Sequence, residues 1–172
     1  MGVDMETVAI YTEERIRIYG ITQRGPQALL TFQFDKAEFQ FFSRLFEKIR
    51  SFFPTFEQFS IIPLTEHLFS AHLLLSEQIF VTGSEEACKL FEIETGKKLK
   101  IISPVDTLFL HGPHFHDRYG IADAIFSAIK EKGIETLACR CSGTSMYITM
   151  RPEQTQACFQ LIKDTFLIPS SS

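Results

Sequence analysis

Tryptophan is missing from all 172 residues, and so is any run of lysines or arginines. No apolar stretch approaches the ~20 residues that a membrane-crossing helix needs. With a formal net charge of −4, the lack of a basic block argues against nucleic acid or an anionic membrane as partner. The four cysteines (Cys88, Cys139, Cys141, Cys158) show neither CxxC nor zinc-ribbon spacing. They are read as reduced thiols of a cytoplasmic protein. The opening MGVDMETVAI has no apolar core of the kind a secretory signal needs, and Glu6 stands where a myristoylation pattern wants Ser or Thr. GxSxG, Walker and HExxH patterns are also absent, and nothing in the residues calls for an enzyme.

What is present is apolar. Hydrophobic residues make up 45% and charged ones 22%, so the chain can bury a core and is not disordered. Eighteen phenylalanines suggest apolar contact surfaces beyond one small core.

The pattern runs twice through a similar order. TVAIYTEERIRIYGIT (7–22) reads as a hairpin, broken by Gln23-Arg24-Gly25-Pro26. ALLTFQF alternates as a strand. In the helix expected over 36–53, Phe39, Phe42, Phe46, Ile49 and Phe53 form one stripe and Phe41, Leu45 and Phe52 a second, with Pro54 as the stop. FEQFSIIPL and LFSAHLLLSE follow as strands, and Pro63 places the first at an edge or at its own end. A short helix is expected to open at Gly83-Ser84, with Ser84 as N-cap, and KKLKIIS reads as a strand. The second half repeats strand, helix, strand, strand, helix: DTLFLHG, a helix marked by Ile121, Ile125 and Ile129, IETLACRCS, SMYITM, and a helix opened by Pro152. It ends one strand short.

The chemistry concentrates in HGPHFHDRYGIAD, 111–123. His111, His114 and His116, with Cys139 and Cys141, could be metal ligands, but their spacing matches no compact ligand set and a metal site is set aside. A Cys–His pair could be nucleophilic, though a cysteine on a helix-covered strand is more often a small core residue. The helix start offers a third use. Free N–H groups near Gly120, Ile121 and Ala122 suit a carboxylate. Asp117 could take an ammonium group, or it could simply cap the helix. His116 or Tyr119 would border the ligand's side chain.

The strand TLFLHG, the helix onset YGIADAIFSAI, the KGIE turn and the SGTSMYIT hairpin resemble an ACT domain, and most closely the regulatory ACT pair of aspartokinases. The likeness covers roughly residues 104–166; the first half matches only in its order of elements and is a degenerate copy. The resemblance implies an α+β fold of two tandem ferredoxin-like modules, 1–103 and 104–172, with antiparallel sheets and helices on one face. It implies an amino-acid effector at the strand-to-helix loop, held by His116, Asp117, Tyr119, Gly120, Ile121 and Ala122 against a hairpin segment like Ser142 to Thr144 of a neighbouring module. It also implies no cofactor and no catalytic residues, and a regulated enzyme as partner.

Modules of this kind tend to pair side by side. The second stripe on helix 36–53 needs cover, so a homodimer is expected. The family also suggests that a surplus N-terminal strand, 7–11, crosses to complete the second module. The alternative is a local hairpin with 15–21 on the first sheet alone. A different functional class remains open: a ligand-free ferredoxin-like scaffold binding a protein partner through Phe-rich faces.

Overall fold

The computed structural model of the chain describes residues 17–112 and 121–168. Its elements run β1 (Gly20–Asp35), α1 (Phe39–Arg50), β2 (Gln58–Pro63), β3 (Leu68–Ser76), α2 (Glu77–Thr95), β4 (Lys100–His111), α3 (Ile121–Glu131), β5 (Thr136–Ser142), β6 (Ser145–Met150) and α4 (Pro152–Thr165). The result is an α+β fold: one antiparallel sheet in the order β2-β3-β1-β4-β6-β5, with four α-helices and a short 3-10 turn (Lys36–Glu38) among the described residues.

Two strands are longer than their sequence suggests. Gln23-Arg24-Gly25-Pro26 does not end a hairpin; it lies inside β1. KKLKIIS and DTLFLHG are likewise one strand, β4, and the boundary expected between 103 and 104 falls inside it. Proline removes a ladder donor, and the sheet accommodates both prolines with irregularities rather than breaks. Arg24 registers with Thr107, Gln27 with Val105 and Leu29 with Ile102, so the spacing slips once on each strand.

These long strands serve both halves. Gln27–Asp35 of β1 pairs with β3, while Gly20–Arg24 pairs with Thr107–His111 of β4. On its other side, that end of β4 pairs with β6. The segment 20–21 therefore lies against the second half, contrary to a hairpin confined to the first sheet. The run 7–11 lies outside the described residues. Arg17 bridges Leu167 in parallel, and Ile18 N donates to Leu167 O at 3.0 Å, fastening the chain's entry beside the end of α4.

Alternation then sorts the core. Ala28, Leu30 and Phe34 of β1 turn toward Phe42, Leu45 and Ile49 of α1 and Ala87 and Phe91 of α2. Leu108 and Leu110 of β4 pack with Ile125 of α3 and Ile162 of α4. Leu29, Leu74 and Val105 form a small cluster of their own, joined by Leu137 and Ala138 of β5.

Two helices differ from their sequence reading. The N-cap of α2 is Ser76, whose Oγ accepts from Ile79 N, and Gly83-Ser84 lies inside the helix. On α1 the second stripe is covered within the chain: Leu45 is buried, and Phe41 and Phe52 pack on the same cluster. Phe39, assigned to the inner stripe, is 47% exposed.

Candidate functional site

The loop singled out by its sequence leaves the sheet at His111 and Gly112, and the chain resumes in α3 at Ile121. His116, Asp117, Tyr119 and Gly120 lie outside the described residues. The structure does show what flanks them.

At the loop's start, Gly112 N donates to Thr144 O at 3.0 Å. His111 stands opposite Ser145 in register, and its Nδ1 lies 3.1 Å from Ser145 Oγ and 3.4 Å from Thr144 Oγ1. From the other side, Tyr19 N donates to His111 O at 2.6 Å, and the two rings are 5.5 Å apart. The end of β4 is thus held between the β5–β6 hairpin and the entering chain. Gly143 turns that hairpin with φ near +55°, a conformation that favours glycine.

Thr144 is brought against the loop's start. Ser142 stands across the hairpin, in register with Ser145, and both Ser142 and Thr144 are exposed. Ile121 has a different part: its side chain is 3% exposed and packs with Ile125 and Ile129 in the core. Its side chain is therefore not available to a ligand. Ala122 packs against the same cluster.

The corresponding turn of the first half is closed. Asp35 Oδ1 accepts from Ala37 N at 2.9 Å, and Glu38 Oε2 accepts from Asp35 N at 2.9 Å. This capping box uses up N–H groups that a carboxylate would need.

Two of the cysteines, Cys139 and Cys158, are poor nucleophiles. Burial, with Cys141 alongside, pushes the Cys139 thiol up to about 12, and burial lifts Cys158 to about 11. A thiol at those values is protonated at neutral pH and unreactive. Among the described residues no group of three His, Cys, Asp or Glu is placed to hold a metal.

Sequence reasoning did not single out Tyr19, or the tie from His111 to Ser145. A signal for the tie existed. Phe109 and His111 share one face of β4, and Tyr147 and Ser145 share the facing positions of β6, a period of two. The Phe109 and Tyr147 rings meet at 4.9 Å, and the Arg24 guanidinium lies 5.6 Å from the Phe109 ring centre. The sequence also gave no sign of a groove of about 750 Å³ lined by Thr31, Ser70, His72, Lys100 and Glu135.

No protein-family model matches the chain, and no curated protein matches its sequence. Solved structures do match. The regulatory subunit of aspartate kinase from Thermus thermophilus superposes with a TM-score of 0.69 at 11% identity, over 87% of this chain and 99% of that one. The Thermus flavus regulatory subunit gives 0.72 at 11% identity, over 88% and 99%. The Clostridium acetobutylicum aspartate kinase gives 0.70 at 14% identity, over 91% of this chain but 37% of the enzyme. At such identities the likeness is one of fold: the chain has the architecture of the regulatory region of aspartate kinases.

Proposed function

We propose that the chain is a non-catalytic regulatory module that binds a free amino acid where β4 gives way to α3. The observation that carries this reading is the tie between Gly112 and Thr144, which sets the loop's start against the β5–β6 hairpin. In that arrangement the first N–H groups of α3 take the ligand's carboxylate. Asp117 takes its ammonium group, and His116 and Tyr119 border its side chain. Gly120 keeps the approach open, while Ser142 and Thr144 form the facing wall.

Two overlapping ferredoxin-like units fit the strand order, with the boundary expected between 103 and 104 falling inside the shared strand β4. The sets β2-β3-β1-β4 and β5-β6-β4-β1 repeat one arrangement, with β1 and β4 each counted twice. The first unit, with its closed capping box, has a structural part, so each chain carries one site. Regulatory subunits of aspartate kinase, matched over 99% of their own length, support a non-catalytic role and a regulated enzyme as partner. The proposed setting is the cytoplasm, and no helix among the described residues is long and apolar enough to cross a membrane. The proposed assembly is a homodimer, supported by the exposed Phe56 and Leu64 on either side of edge strand β2.

The test is a thermal-shift screen of the twenty amino acids. A ligand bound only by the folded state adds about 2.7 kcal/mol at a hundred times its dissociation constant. Asp117→Ala and Gly120→Val should each weaken the hit; loss of a charge-assisted bond of about 1.5–3 kcal/mol corresponds to roughly 10- to 100-fold for Asp117→Ala. A screen with no hit would favour the ligand-free scaffold. A hit bound equally by both variants would put the site elsewhere.

A further inference from the structure

On the helix-covered face of the first half, large side chains stand in rows across the strands. Leu30 registers with Leu73, and Leu73 with Phe59; Phe34 registers with Phe69. One row breaks the pattern: between Phe32 and Ile61 stands Ala71, 1% exposed. The missing bulk leaves a cavity of about 230 Å³ beneath α1, walled by Phe32, Phe34, Phe42, Phe46 and Phe59. Phe39 and Ile61, 47% and 38% exposed, stand at its rim with Ser43.

We infer that this cavity is a binding site for a small, neutral aromatic molecule of one ring or two fused rings. Size is the first reason. An enclosed apolar cavity of about 150 Å³ takes up benzene, and this one, open at its rim, has room for a ring of that size. Chemistry is the second: no charged side chain lines it, so a zwitterionic amino acid would have to bury both charges without partners. Shape is the third. The walls are flat rings already in face contact, Phe46 on Phe59 at 4.1 Å and Phe32 on Phe42 at 5.3 Å. A planar guest continues that stacking, and an aliphatic one of the same size does not. Ser43 Oγ is the single polar side-chain group in the lining, enough for one phenolic or indole substituent at the mouth.

The experiment titrates the full chain with toluene, indole and methylcyclohexane, reading the melting midpoint and the NMR signal of the Ala71 methyl. Toluene and indole should raise the midpoint and shift that signal, and methylcyclohexane should bind about 2- to 10-fold more weakly than toluene. Ala71→Leu, which fills the space, should abolish the toluene response. If that variant does not fold, Ser43→Trp, at an exposed rim position, should block entry instead. Asp117→Ala should leave toluene binding unchanged, which separates this site from the amino-acid site. Lack of any response to toluene and indole overturns the inference, as does an undiminished response in the filled or blocked variant. Toluene binding that disappears as the chain self-associates would also overturn it, since a side chain of a second copy would then be the natural occupant.

Discussion

His72 shows how much a single ring can decide. It sits half-buried on β3, its Nε2 2.9 Å from Ser70 Oγ, while its buried Nδ1 has no hydrogen-bond partner. Burial holds its pKa below the ordinary value of 6.5. The native state therefore keeps the ring neutral over a range in which the unfolded chain already takes up a proton. Below about 6.5 the unfolded state binds more protons, so stability falls as pH falls. The melting midpoint should drop between pH 7 and pH 5, and drop less steeply in His72→Gln. Equal slopes for the two proteins would place the acid sensitivity in other groups.

At the scale of elements, close approach decides what sequence pattern cannot. Gly83 lies inside α2, and a Cβ there would stand 2.4 Å from Phe52 O and 3.0 Å from a carbon of the Phe53 ring. Helix propensity alone favours alanine by about 1 kcal/mol. The obstacle is a backbone carbonyl, so the crowding outweighs propensity, and Gly83→Ala should lose about 1–3 kcal/mol in urea unfolding. A variant as stable as the parent would mean that α2 slides freely over the end of α1. The same residue explains one misreading: glycine followed by serine and two glutamates imitates a helix start, but the true cap is Ser76, seven positions earlier. The helices with strong periodicity, α1, α3 and α4, were legible because one face of each meets the sheet. The continuity of β1 and β4 was not, because Gly25-Pro26 and Ser103-Pro104 look like breaks until a neighbouring strand absorbs the slip. In the candidate site, the apposition of Thr144 to the start of the loop in its own half was not expected, because the family resemblance set such a hairpin against the loop of a neighbouring module. Ile121 was named for its backbone, and nothing in its spacing separated that part from the burial of its side chain.

For the molecule as a whole, the shared strands set the cooperativity. β1 contributes Leu30 to one core and Ile21 to the edge of the other, and the pairing of β1 with β4 runs through both. Neither core can be lost while both strands keep their places. Calorimetry should therefore show one transition, with calorimetric and van't Hoff enthalpies equal. Two resolved transitions would mean that the halves melt separately despite sharing strands.

The sharing also bears on dissection. Two separate four-stranded sets would need eight strands, whereas six make both sets here because β1 and β4 are each used twice. A cut before Lys100 takes β4 from the set β2-β3-β1-β4, and a cut after His111 takes it from the set β5-β6-β4-β1. Either piece is left with an open strand edge where its neighbour stood. Protease nicking between the halves should therefore not release two parts that each hold their shape.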